Sequence, residues 1–156
     1  MSNLILTLAL WISVVGHADA GEPYDYGQWQ QVLTSSVDDN GRVDYAGLKA
    51  DPTHLDAFVA RLAVSGPDST PEFFTTKADS FAFWLNAYNA MVVSGVVEAY
   101  PVASVKDISL SYGFFKRKSF RVDRRDLTLD DIEHGILRPG YRDPRIHAAI
   151  NCGAKS

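Results

Sequence analysis

The chain has 156 residues, of which 46% are apolar and 22% are charged, and its net charge at neutral pH is -4. This length and composition predict one soluble globular domain built around one core, without internal repeats or low-complexity segments. The negative net charge gives no electrostatic reason for binding to nucleic acid, so we expect no nucleic-acid partner.

The first twenty residues are typical of a signal peptide. An apolar run covers residues 4–15, and the Ala-Asp-Ala sequence at residues 18–20 fits the small-x-small rule for cleavage before Gly21. The run is too short to span a membrane comfortably. We therefore predict a signal peptide at residues 1–20 and one domain at residues 21–156. We expect the mature protein to be periplasmic or secreted, without stable membrane insertion.

The N-terminal part of the domain contains two predicted amphipathic helices. The first covers residues 26–37 and ends at Asp38-Asp39-Asn40-Gly41, where Gly41 suits a positive φ angle. A short extended segment follows at residues 42–45. Asp51-Pro52 then opens a second helix, because Asp caps a helix and Pro is tolerated in its first turn. The predicted buried stripe of this helix is Leu55, Phe58, Val59 and Leu62.

One long helix is predicted from Lys77 to Tyr100, and the rest of the chain is expected to pack around it. Thr76 can cap it, no proline interrupts it, and Pro101 prevents its continuation. Apolar side chains occupy nearly every side of its middle, which predicts a buried core helix.

Asn86 and Asn89 lie three residues apart, on one face of this helix. They argue against a membrane span. Because a buried amide needs hydrogen-bond partners, two interpretations of their role remain open. The amides fasten neighbouring segments, or one of them faces a substrate pocket and orients a catalytic group or an oxyanion.

A β-hairpin is predicted after Pro101, from residue 114 to residue 127, with its turn near Asp123. Six Lys and Arg residues lie between Lys116 and Arg125. They form either a solvated hairpin face or a surface for an anionic substrate or partner.

Thr128 is predicted to cap the next helix, with Asp131 completing a capping box. Its apolar stripe consists of Leu129, Ile132 and Ile136. Glu133 lies on the edge of that stripe, where a carboxylate must find a cation or several donors. We expect Arg138-Pro139-Gly140 to close this helix.

The last segment, residues 145–151, is apolar enough for an interior strand, which would bury His147 just before Cys152. A buried strand histidine is often structural. With Glu133 and the single cysteine, however, it suggests a thiol mechanism in which the imidazole takes the thiol proton and the carboxylate orients the imidazole. On one continuous strand, residues 147 and 152 would point to opposite faces, so the mechanism requires a bend near Gly153.

Several motifs, in order along most of the mature chain, resemble the domain of unknown function 547 family. They are Arg42-Val43-Asp44-Tyr45, Phe83-Trp84-Leu85-Asn86-Ala87-Tyr88-Asn89-Ala90, Tyr100-Pro101, Leu129-Asp130-Asp131-Ile132-Glu133-His134 with Leu137-Arg138, and Asp143-Pro144-Arg145-Ile146-His147-Ala148-Ala149 with Cys152.

The resemblance implies an α+β fold related to papain-like cysteine hydrolases. It implies a thiol hydrolase or acyl transferase acting on a peptide or amide bond without a cofactor. Glu133, His147 and Cys152 carry over as catalytic candidates, and Asn86 and Asn89 as substrate-binding candidates.

The pattern of this family usually continues with a Cys-Pro pair and several helices, whereas this chain stops at Ser156. The resemblance implies that the cysteine of that pair is the stronger nucleophile candidate, because a thiol at a helix N-terminus is stabilised as a thiolate. We therefore expect a C-terminally incomplete domain that is inactive alone. The alternative function is a non-catalytic binding module or inactive fragment. A metal site formed by Glu133, His134 and His147 is disfavoured, because neighbouring residues on a helix point apart.

Overall fold

The computed structural model of the chain describes residues 23–109 and 112–150. The elements of this part are α1 (Gly27–Ser36), α2 (Tyr45–Ala50), α3 (Thr53–Val64), a 3-10 turn (Pro71–Phe73), α4 (Lys77–Ala99), α5 (Val105–Ile108), α6 (Gly113–Lys116), β1 (Ser119–Val122), β2 (Arg125–Thr128), a π-helix (Asp131–Leu137), α7 (Arg138–Tyr141) and α8 (Ile146–Ala149). Helices and one two-stranded antiparallel sheet make this an α+β fold, as predicted.

Helix α4 is the predicted central helix, and its start and end are close to the predicted ones. Thr76 and Asp79 form a capping box, in which Thr76 Oγ1 accepts from the Asp79 amide at 3.1 Å and the Asp79 carboxylate accepts from the Thr76 amide at 2.8 Å. Hydrogen bonds from the Thr76 side chain and from the Thr76 amide to the carboxylate stabilise its charged form and lower the pKa of Asp79. The buried side chains of α4 include Phe83 and Val92, which lie on opposite sides of the helix because nine residues turn it through about 900°.

Among the described residues, α4 is long and apolar enough to cross a membrane by length and composition alone. However, 56% of its most apolar window is buried inside the fold, which is what a core helix requires.

The helices before α4 agree with the predictions except at α2. Helix α1 ends before the turn in which Gly41 has a φ angle of 75°. Helix α3 buries Leu55, Phe58 and Leu62 of the predicted stripe, whereas Val59 is only half-buried. Val43 pairs with Val37 in an isolated antiparallel β-bridge, in agreement with the extended segment predicted at residues 42–45. Helix α2, which begins at Tyr45, was not predicted. The Asp44 side chain accepts a hydrogen bond from the Gly47 amide at 2.9 Å and so starts this short helix.

The hairpin of β1 and β2 turns at Asp123 and Arg124, which confirms the predicted turn. Both residues have positive φ angles, 51° and 60°, as a two-residue turn of the favoured hairpin type requires. The predicted start of the hairpin at residue 114 is wrong. Phe114 belongs to α6, and its side chain is 1% exposed. Its position therefore reflects burial in the core and not the alternating pattern of a strand.

The hairpin turn also caps the C-terminal end of α3. The last carbonyls of a helix have no partner within the helix. Here the Asp123 amide donates to the Leu62 carbonyl at 2.8 Å, and the Arg124 amide donates to the Ala63 carbonyl at 3.0 Å. The hairpin is therefore held against α3 by its own backbone.

The predicted interior strand at residues 145–151 is wrong for its described part. Residues 146–149 form α8, a single helical turn, and the backbone becomes extended at Ile150. Ile146 and Ile150 are both buried. Their spacing of four residues fits one face of a helical turn and would be equally compatible with one face of a strand, which explains the wrong prediction.

Candidate functional site

The turn that carries His147 is fixed at its start by an ion pair. The Asp143 carboxylate accepts from the Arg145 amide at 2.9 Å and from the Arg145 Nε at 3.0 Å. These two kinds of hydrogen bond lower the pKa of Asp143 to about 2. The carboxylate therefore stays ionised, and keeps its pair with Arg145 at the entry into α8, in acid that would protonate an ordinary aspartate.

The same turn is anchored in the core by Ile146 and Ile150, which are 1% and 5% exposed. His147 lies between these anchors and is exposed. The prediction of a buried His147 is therefore wrong, because the helical turn directs the isoleucines inward and leaves the imidazole outside. Cys152 lies outside the described residues, so its predicted role stays a prediction.

Asn89 connects α4 to this turn. Its side-chain Nδ2 donates to the Ala149 carbonyl at 3.0 Å. Asn86 connects α4 to the N-terminal part of the chain instead, because its Oδ1 accepts from the Trp29 indole at 3.1 Å and its side chain also hydrogen-bonds Tyr26. Both amides thus fasten neighbouring segments. Their substrate-binding role stays a prediction.

We expect Asn89→Ala to loosen α8 without unfolding the protein. The change removes one hydrogen bond, which typically contributes about 1 kcal/mol. Amide hydrogen exchange of Ile150, which donates to the Ile146 carbonyl, should become several-fold faster. Asn86→Ala is the matched control, since it makes the same chemical change on the same helix but should affect the Trp29 indole. Equal exchange rates at Ile150 in both variants would contradict this role for Asn89.

Glu133 lies on the π-helix, which changes the predicted apolar stripe. Leu129, Ile132 and Leu137 are fully buried, whereas Ile136 is only half-buried. A π-helix closes its hydrogen bonds between residues five apart, so the residue five positions after Ile132 takes the core position that an α-helix would give to Ile136. The helical segment then continues through α7 to Tyr141, beyond the predicted end at Gly140.

The Glu133 carboxylate pairs with the guanidinium of Arg138, whose Nε donates to it at 3.0 Å. The Glu133 side chain is 16% exposed and is paired with a cation, which confirms the prediction that a carboxylate at this position needs one. Arg138 was not identified as that cation, because five-residue spacing joins side chains only where the helix widens. Among the described residues, no group of three or more His, Cys, Asp or Glu side chains could hold a metal ion.

Two parts of the predicted site are therefore held against α4: the His147 turn through Asn89, and the π-helix through its buried side chains. The Asp143–Arg145 pair was not assigned a function from the sequence. An Asp followed two residues later by Arg, at the start of a helical turn, is the signal that could have indicated it.

The profile of a protein family described as "Protein of unknown function, DUF547" matches residues 72–156, which is more than half of the chain. The matched range includes α4, the hairpin, the π-helix and α8. No curated protein and no solved structure matches the chain. The chain belongs to the domain of unknown function 547 family.

Proposed function

We propose that the domain is a thiol-dependent hydrolase or acyl transferase that acts on amide or peptide bonds, with His147 as the base and Cys152 as the nucleophile. The observation that carries the proposal is the hydrogen bond from Asn89 to Ala149. It fixes a turn from which an exposed imidazole can reach solvent and substrate. Cys152, the one cysteine of the printed sequence, lies five residues after that imidazole, and we propose it as the nucleophile in place of the cysteine of the family's Cys-Pro pair.

The proposed reaction has two steps. The neutral His147 imidazole takes the thiol proton, the thiolate sulfur bonds to the acyl carbon, and the imidazolium returns the proton to the leaving amine as the carbon–nitrogen bond breaks. Water, or an acceptor amine, then attacks the thioester and regenerates the thiol. Water makes the protein a hydrolase, and an acceptor amine makes it an acyl transferase.

The helical conformation of α8 supports this pairing. Residues 147 and 152 would point to opposite faces only along one continuous strand. Residues 146–149 are helical and Ile150 is extended, so the backbone changes direction between the two residues. The objection from strand alternation therefore does not apply.

The proposed orienting role of Glu133 rests on its place on the π-helix. Its carboxylate binds Arg138, which gives it a structural use on the π-helix. π-Helical turns occur frequently at functional sites, and this one packs against α4, which also holds the His147 turn. A relation to papain-like cysteine hydrolases belongs to the same proposal, and the α+β class with one buried central helix is compatible with it.

We also propose that the protein is exported after cleavage before Gly21. The apolar run and the Ala-Asp-Ala sequence support this proposal. Tyr24, three residues later, is 5% exposed and packs against Phe83, so the folded domain begins soon after the proposed cleavage site.

The thiol proposal can be tested by the alkylation rate of Cys152, because a chain with a single cysteine gives a thiol probe one target. We expect His147→Gln to slow alkylation at neutral pH by about tenfold or more, since a one-unit rise in thiol pKa lowers the thiolate fraction by that factor. His134→Gln is the matched control. Like His147, His134 is exposed, and it lies beside Asp130 at 3.8 Å on another element.

Equal alkylation rates in the unmodified protein and both variants, with the pH dependence of an ordinary thiol, would overturn the thiol mechanism. The non-catalytic binding module would then be the better description of the domain.

A further inference from the structure

A cavity of about 250 Å³ lies beside the start of α4. Its wall includes Tyr24, Tyr26, Phe73, Thr75, Asp79 and Ala82. Tyr24 is buried, whereas the other five residues are half-buried or exposed, so a ligand can reach them. A cavity of this size is smaller than most sites for whole ligands and suits one end of a longer molecule.

The charged group of this cavity is the Asp79 carboxylate. Hydrogen bonds from Thr76 hold its pKa below the ordinary value, so the carboxylate is ionised at neutral pH. No described Lys or Arg side chain forms an ion pair with it. Its negative charge also acts on the neighbouring Tyr26 phenol, whose pKa it helps to raise. The cavity therefore favours a cation.

The start of α4 does not require an anion from outside. The Thr76 amide donates to the Asp79 carboxylate, and the Asp79 amide donates to Thr76 Oγ1. The positive end of the helix is thus satisfied by side chains of the helix itself and its cap. Arg61 lies 4.9 Å from the centre of the Tyr24 ring, but its guanidinium pairs with Asp25 at 3.6 Å. This cation therefore has a carboxylate partner other than Asp79.

Aromatic rings form the apolar part of the cavity. The rings of Tyr26 and Phe73 both pack on Tyr24, with centroid distances of 5.0 Å and 6.4 Å. An aromatic ring attracts an ammonium group through its π electrons, and a carboxylate beside it adds a charge-assisted hydrogen bond. Rings beside one carboxylate are therefore suited to an organic ammonium group.

The same face of α4 connects this cavity with the His147 turn. Asp79, Ala82, Asn86 and Asn89 follow one another at spacings of three or four residues, and Asn89 holds the turn. The last three of these residues are half-buried, so neighbouring elements do not cover this face completely. From Asp79 to Asn89 the helix rises by about 15 Å, the length of about five residues of extended peptide.

We propose that this cavity binds a primary ammonium group of the substrate, about five residues away from the amide bond that reacts at His147. The ammonium group, which is a peptide N-terminus or a lysine side chain, contacts the Asp79 carboxylate and the rings of Tyr26 and Phe73. The peptide then follows α4 to the His147 turn. This direction rests on the proposed function, whereas the ammonium site itself does not.

The test uses the full chain and pentaalanine amide with a free N-terminus as the probe. The peptide should bind saturably and shift the backbone amide signals of Asp79 and Ala82 in NMR spectra. N-acetylated pentaalanine amide lacks the ammonium group and should bind at least about fivefold more weakly. An acetylated peptide with lysine in its first position shows whether a lysine side chain also binds. No saturable binding, or equal binding of the free and the acetylated pentaalanine, would overturn the ammonium site.

Asp79→Asn should weaken binding of the free peptide by about fivefold, while the asparagine oxygen can still accept from the Thr76 amide and keep the cap. Asp131→Asn is the matched control, because Asp131 has the same place in the capping box at Thr128 and does not line the cavity. Equal weakening in both variants would assign the binding to general charge and overturn the site. If Asp79→Asn does not fold, the comparison of free and acetylated peptides on the unmodified protein decides the question.

Peptide binding needs no reaction, so the ammonium site can be confirmed in a protein that fails the Cys152 alkylation test. The backbone amide signals of Ala149 and Ile150 report the direction along α4. They should shift with free pentaalanine amide but not with dialanine amide, which is too short to reach the His147 turn. Shifts that are absent, or equal for both peptides, would overturn the direction and leave the ammonium site.

Discussion

Replacing Trp84 with alanine should lower the free energy of unfolding by about 3 to 5 kcal/mol, as large-to-small changes in protein cores do. The Trp84 side chain is 3% exposed on α4 and packs edge-to-face on Phe83, with 5.1 Å between ring centroids. The Arg125 guanidinium of the hairpin lies 5.3 Å from its ring. Truncation would therefore open a cavity and remove a contact between α4 and the hairpin. The expected loss is a large part of the total stability of a small domain.

Urea unfolding followed by circular dichroism measures this effect. Val64→Ala is the control, because the Val64 side chain is 58% exposed and its truncation should change the unfolding free energy by less than about 0.5 kcal/mol. Trp84→Phe should be intermediate, since it keeps an aromatic ring and part of the volume. If Trp84→Ala unfolded at the same urea concentration as the parent, the central position of α4 would be wrong.

The second large effect is expected at Asp123. Its carboxylate is fully buried and accepts from the backbone amides of Asp68 and Ser69 at 3.0 Å and 2.9 Å. Arg125 lies 3.7 Å from the same carboxylate. Asp123→Ala would leave these amides without their acceptor and would put alanine at a positive φ angle, which Asp tolerates better. We expect a loss of about 3 kcal/mol.

Asp126→Ala is the matched control for Asp123→Ala. It removes the same charge from the same hairpin, but the Asp126 side chain is 67% exposed in its pair with Arg121. An exposed pair of this kind contributes about 1 kcal/mol at most. Thermal unfolding of both variants gives the comparison. Equal losses would mean that the buried carboxylate does not hold the hairpin to the loop at Asp68 and Ser69.

The elements predicted correctly are those indicated by local capping and turn residues or by a regular spacing of apolar residues. Helix α4 was recognised because Thr76 and Pro101 define its ends, no proline interrupts it and apolar side chains occupy nearly every side of its middle. The turn at Asp123 was recognised from the polar residues between two short apolar runs. Helix α2 was missed because its start depends on one side-chain hydrogen bond, from the Gly47 amide to Asp44.

The π-helix and α8 could not be predicted from periodicity. A stripe with the spacing of an α-helix gives the core position to Ile136, whereas the five-residue spacing of the π-helix gives it to Leu137. Ile146 and Ile150 satisfy strand and helix patterns equally well. In the candidate site, Asn89 and Glu133 were identified from the sequence, and both side chains form hydrogen bonds. Their partners, Ala149 and Arg138, are known only from the tertiary structure.

The π-helix implies that this segment carries one residue more than an α-helix needs. A π turn contains one residue more than the α-helical hydrogen-bonding pattern, so deleting Gly135, around which a Cβ atom would meet no neighbour, should let the segment relax to an α-helix. Leu137 would then lie four residues after Ile132 and keep its core position, so the side chains that follow it would keep their directions. A single-codon deletion at this exposed position should thus leave the His147 turn in place, whereas a deletion within an ordinary α-helix rotates every later side chain by about 100°.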